Sequence, residues 1–190
     1  MLRVFFLEVL IMNSKKLNTY VKIAILAAMS FLLQLLGTFI GLKVGGFLDV
    51  EISDFPALIG TFALGPAAGV LIELFKNILH CSVTSTGFVG ELANFIVNGI
   101  FVLTAGIIYK FNRTRRGAVI SMLISVLAMS AAGIFANLFI LLPLYMPQAN
   151  LQLKMNIIMS TITPFNLCKG FILSFITFIC YKKLKPLLFR

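Results

Sequence analysis

The sequence predicts an all-α membrane protein: six transmembrane helices in one bundle, both termini cytoplasmic. Three observations predict it. Of 190 residues, 60% are hydrophobic and only 12% charged, and the apolar stretches run to about 20 residues, the length needed to cross a bilayer. Gly65-Pro66 interrupts one of these stretches, and a proline there removes an amide donor and breaks or kinks a helix. The basic residues are grouped at three places along the chain.

Residues 1–11 are apolar, too short to span, and interrupted by Glu8. Met12-Asn13-Ser14-Lys15-Lys16 reads as a natural start, so 1–11 is expected to be an upstream extension or a short interfacial segment, with 12–190 the single six-helix domain. The first span is expected over 17–40, entered past Lys15, Lys16 and Lys22, with Ala24 and Ala28, flanked by Ala27, giving it a small-residue face suited to close contact with another helix, within the bundle or outside it. Residues 41–53 mix flexible glycines with apolar side chains, a composition that fits a lid or packing on the bundle rim. Asp54-Phe55-Pro56 opens the next helix, with Ser53 or Asp54 as cap and proline in the first turn. Three further spans are expected over 88–110, 117–142 and 160–181.

Charge decides how 54–79 is threaded. Twelve of the 16 Lys and Arg residues lie before residue 23, between 110 and 116, or after 181. The positive-inside rule places all three groups in the cytoplasm. An even number of crossings must then separate them, which makes Gly65-Pro66 a reversal and gives six helices.

This threading brings polar residues to one depth, about 10 Å below the outer surface at 1.5 Å of rise per residue. Glu91, Asn94 and Asn98 share a helix face by their i, i+3 and i+7 spacing. Asn137, Asn166 and Lys169 fall at the same level, with Glu73, Lys76 and Asn77 nearby. A lysine inside a spanning helix is costly and points to function, whereas carboxamides also serve as interhelical links and Glu73 can pair with Lys76 across one turn. The amides offer donor and acceptor together, suiting an uncharged ligand, and 19 phenylalanines suit a flat ring. There is no HExxH, P-loop or GxSxG motif, so binding and movement across the membrane are expected rather than catalysis. Cys81, Cys168 and Cys180 lack any metal-ligand spacing, and the net charge of +10 is explained by topology rather than by nucleic acid.

Three stretches carry a family likeness: Glu51-Ile52-Ser53-Asp54-Phe55-Pro56-Ala57-Leu58-Ile59-Gly60; Leu64-Gly65-Pro66-Ala67-Ala68-Gly69-Val70 with Glu73 and Lys76-Asn77; and Thr163-Pro164-Phe165-Asn166 with Lys169-Gly170. From Met12 onward the chain resembles the riboflavin-specific substrate-binding subunits (S components, RibU-type) of bacterial energy-coupling factor (ECF) transporters. The resemblance implies a multi-pass protein of the bacterial cell membrane that captures riboflavin from outside as transported ligand, without a cofactor. It implies contacts from Asn137, Asn166 and Lys169, then Asn94 and Asn98, with Glu91 beside them and Phe47 and Leu48 from the lid. It implies that Ala24, Ala27 and Ala28 face a transmembrane coupling subunit joined to two cytosolic ATPases. An S component for another vitamin, or a membrane structural protein, are the alternative readings.

Overall fold

The computed structural model describes residues 2–41, 43–46, 48–84 and 88–188. Helix α1 runs Leu2–Ile40 without a break, so residues 2–11 continue the same helix. A two-stranded antiparallel hairpin follows, β1 (Lys43–Val44) against β2 (Leu48–Asp49). Gly45 and Gly46 take the positive φ angles, 63° and 81°, that its turn needs.

Helices α2 (Phe55–Leu64) and α3 (Pro66–His80) meet at Gly65, whose φ of 105° and ψ of 170° suit glycine and end α2. The chain reverses there. Asp54 at the start of α2 pairs with Lys76 near the end of α3, and a Cβ at Gly69 would lie 1.7 Å from the Thr61 hydroxyl. Asp54 holds the N-cap position, yet its side chain makes no capping bond; the capping expected of it is given up for ion pairing.

Helix α4 spans Val89–Phe111. Helix α5 comprises Arg115–Ala136, a π turn at Asn137–Leu141 and a last turn Leu142–Tyr145. Helix α6 comprises Leu151–Ile157, a π turn at Ile158–Ile162 and the long stretch Thr163–Leu188. Six helices stand where six were expected, but α5 and α6 reach further outward than the predicted 117–142 and 160–181. The π turns end two residues before Pro143 and Pro164, whose missing amide hydrogen loosens the regular i to i−4 ladder. Among the described residues, four segments are long and apolar enough to cross a membrane, within 16–40, 89–111, 115–145 and 151–180. At 10 and 15 residues, α2 and α3 extend only about 15 and 22 Å and form a short inner hairpin.

Ala57 and Leu58 of α2, Ile72 of α3, Phe101 and Val102 of α4, Val126 of α5 and Leu173 of α6 have no exposed surface, which places the short hairpin at the centre of the bundle. Lipid tails are as apolar as these side chains, so the bundle is held by close packing and buried hydrogen bonds rather than by expulsion of water. Leu142, Ile158 and Ile162 form a second, smaller cluster, against which Leu48 of the hairpin packs. At one end of the bundle the Gly65-Pro66 corner meets α4, with a Cβ at Gly106 falling 2.7 Å from Pro66 Cβ. Phe62, Arg115 and Thr177 line a 220 Å³ cavity near that end, so the 110–116 loop and the inner part of α6 lie together, as the charge argument requires.

Candidate ligand-binding site

At the opposite end lies a cavity of about 480 Å³ bounded by α1, α3, α4, α5, α6 and the β-hairpin, within the usual range for small-molecule sites, roughly 300–1,000 Å³. Asn94, Asn98, Asn137, Asn166, Lys169, Glu91 and Leu48 all line it. Phe47 lies outside the described residues.

The polar residues are held by bonds within their own helices and, for Asn94, by the loop before α2. Asn98 Nδ2 donates to Asn94 Oδ1 at 3.0 Å, one turn away, and Asn94 Nδ2 donates to Glu51 Oε1 at 3.3 Å. Asn137 begins the π turn of α5 and donates back to the Gly133 carbonyl at 2.8 Å. Asn166 reaches the cavity because α5 carries glycine opposite it: a Cβ at Gly133 would lie 2.0 Å from Asn166 Nδ2. Around these amides the walls are apolar, with Val97, Met129, Leu141, Leu142, Ile162 and Phe165 among them.

Lys169 does not stand free. Its Nζ lies 2.7 Å from Asp54 Oδ2 and 3.3 Å from Glu51 Oε1. Asp54 also pairs with the wholly buried Lys76, which sits 2.7 Å from Glu73 Oε2 and donates to Ser53 Oγ at 3.3 Å. Three carboxylates and two ammonium groups thus form one network joining the loop before α2 to α3 and α6. Glu73, Lys76 and Asn77 stand behind the cavity wall; Asn77 donates to the Glu73 carbonyl at 2.8 Å. Such a network holds position well, and removal of Lys76 would leave the buried Glu73 without its partner.

Several lining residues were not anticipated: Gln34 and Thr38 of α1, Lys43 and Glu51 of the intervening loop, and His80 of α3. Glu91 accepts from or pairs with His80, whose Nδ1 lies 3.0 Å from Glu91 Oε1, and Thr38 Oγ1 lies 3.5 Å from His80 Nε2. Charge matching could have found Glu51 and Asp54, because four of the six acidic residues fall between 51 and 91 and need cations at the same depth. The Gln34 Oε1 and Asn98 Oδ1 atoms are buried with no hydrogen-bond partner among the described residues; leaving such an atom unpaired costs about 1–3 kcal/mol, and a ligand in the cavity can supply the missing donor.

Ala24, Ala27 and Ala28 lie away from the cavity. Ala24 and Ala28 are exposed on one side of α1, while Ala27 is buried against the bundle. Only the first two therefore form an outward small-residue face.

Comparison with known proteins agrees with this architecture. The profile of the family described as the ECF transporter, substrate-specific component, matches residues 16–181. The chain is 34% identical over 187 residues to the riboflavin transporter RibU of Staphylococcus aureus (strain TCH60), covering 94% of this chain and 96% of that one. It is 29% identical over 180 residues to the riboflavin transporter FmnP of Bacillus subtilis (strain 168), covering 90% and 94%. A solved structure of the S component of a bacterial ECF transporter superposes with a TM-score of 0.77 at 32% identity, over 92% of this chain and 99% of that one. The chain is a member of the substrate-specific (S) components of ECF transporters.

Proposed function

We propose that this chain is the riboflavin-capturing subunit of an ECF transporter in a bacterial cell membrane. The observation that carries the reading is that five carboxamides, Gln34, Asn94, Asn98, Asn137 and Asn166, line one cavity with otherwise largely apolar walls. Carboxamides present donor and acceptor side by side and match the alternating carbonyl and N–H edge of a flavin dione. The aliphatic walls and Phe165 suit its flat dimethylbenzene end. Lys169, held by Glu51 and Asp54, orders the loop beside the ligand and presents its remaining donor capacity to it. The β-hairpin acts as lid through Leu48.

Energy for release inside comes from partners: a transmembrane coupling subunit and two cytosolic ATPases. This chain has no P-loop to bind ATP. Protein purified from cells grown in rich medium is expected to be yellow with a flavin absorption spectrum. A colourless preparation that does not quench the fluorescence of added riboflavin overturns the reading, and tight binding of a different vitamin would reassign it within the same family.

The exposed Ala24 and Ala28 face of α1 is the docking surface for the coupling subunit in this reading. Ala24→Trp with Ala28→Trp is expected to leave riboflavin affinity of the isolated chain within twofold and to abolish cellular uptake. Uptake at the wild-type rate would remove this face from coupling.

A further inference from the structure

The two ends of the bundle differ in charge balance. Glu51, Asp54, Glu73 and Glu91 all belong to the ion pairs around the ligand cavity, and no acidic residue follows Glu91 in the chain. Lys110, Arg113, Arg115 and Arg116 at the other end therefore have no acidic side chain in their own loop, in α5 or in α6. Arg115 forms no ion pair among the described residues. Arg115, Ala118 and Met122 share one face of α5 by their i, i+3 and i+7 spacing, and with Phe62 of α2 and Thr177, Phe178 and Ile179 of α6 they line the 220 Å³ cavity. The Thr177 hydroxyl is already used, donating to the Leu173 carbonyl at 2.7 Å. Arg115 is thus the polar side chain left to meet an occupant. Phe62, Ala118 and Met122 are buried, whereas Phe178 and Ile179 are 43% and 53% exposed on the outside of the bundle, so the cavity opens sideways toward lipid.

We propose that this cavity binds an anionic phospholipid of the inner leaflet, with the phosphate on the Arg115 guanidinium and part of an acyl chain in the groove beside Phe62, Met122 and Phe178. The inference is independent of the riboflavin reading. At 220 Å³ the cavity is smaller than self-contained small-molecule sites, roughly 300–1,000 Å³, but it suits a segment of a chain whose remainder stays in the bilayer. The walls are apolar and the charge stands at the end of α5, where the positive-inside rule puts the lipid headgroups. A guanidinium meets phosphate with paired N–H donors, and a basic group between helices on the cytoplasmic side attracts lipids of net negative charge. A soluble phosphate compound would reach Arg115 and leave the groove empty. A zwitterionic lipid would fill the groove and bring a second cation to a cluster that already lacks anions. An anionic lipid meets both needs.

The test is native mass spectrometry of the purified, delipidated chain titrated with phosphatidylglycerol, with phosphatidylcholine of the same acyl chains, or with glycerol phosphate, which carries the phosphate without the chains. Wild type is expected to hold one phosphatidylglycerol about fivefold more tightly than phosphatidylcholine, and to hold no glycerol phosphate. Arg115→Gln is expected to weaken phosphatidylglycerol about fivefold, the effect of one basic residue at a membrane surface. Arg113→Gln removes the same charge from a residue that does not line the cavity and is expected to change the affinity by less than twofold. Both arginines are exposed, so neither substitution disturbs the core. Equal affinity for the two lipids, unchanged phosphatidylglycerol affinity in Arg115→Gln, or equal losses in the two variants overturns the site, the last by showing only diffuse attraction to the basic loop. Glycerol phosphate bound as tightly as phosphatidylglycerol also overturns it, leaving a phosphate site with no role for the groove.

Discussion

Replacing Lys76 with methionine is expected to destabilise the protein by about 3–5 kcal/mol, the range measured when one partner of a buried ion pair is removed. Lys76 has no exposed surface and lies between Asp54 and Glu73, with Ser53 Oγ at 3.3 Å. Methionine fills a similar volume, so packing contributes little to the loss. Asp54 keeps Lys169 at 2.7 Å, but Glu73 loses the partner it held at 2.7 Å. The expected readout is a thermal midpoint lowered by roughly 10 °C in detergent, the shift that such an energy gives a chain of this size. Lys76→Met combined with Glu73→Gln is expected to recover much of the loss, because the stranded charge is gone. A midpoint for Lys76→Met within 2 °C of wild type would show that the network does not hold the α2–α3 hairpin.

The hairpin itself was legible because two independent signals agreed: Gly65-Pro66 marks a break, and the positions of Lys110, Arg113, Arg115 and Arg116 require a reversal there. Asn94, Asn98, Asn137 and Asn166 were legible by depth, since helical rise converts sequence distance from a span's end into position across the membrane. What joins them was not. Lys169 meets Glu51 across 118 positions, and Glu51 sits in a loop with no periodicity to fix its direction. Gln34 is an isolated polar residue in an apolar span and His80 ends α3 just before a polar loop, and nothing local says which way either faces. The alanines show the limit of motif reading: positions 24 and 28 are four apart and share a face, whereas 27 turns inward. The π turns had a signal that went unused, a proline two residues beyond each.

Asn166→Ala is expected to weaken riboflavin about a hundredfold while leaving the thermal midpoint of the ligand-free protein close to wild type. The two halves of that expectation come from the same observation. Asn166 is 6% exposed, lines the cavity and is seated against Gly133, yet its carboxamide makes none of the side-chain hydrogen bonds that tie Asn94, Asn98 and Asn137 to their neighbours. In the proposed riboflavin reading its donor and acceptor meet the ligand, and their loss would leave flavin polar atoms facing methyl groups. Two such unmet groups at about 1–3 kcal/mol each reach the roughly 2.7 kcal/mol that a hundredfold change requires. Lys169→Ala should behave differently, lowering affinity and stability together, because Lys169 also neutralises Asp54 and Glu51. Fluorescence titration and thermal unfolding of the two variants separate a residue that meets the ligand from one that also supports the wall. Unchanged riboflavin affinity in Asn166→Ala would remove it from the site, and a lowered ligand-free midpoint would make it part of the scaffold instead.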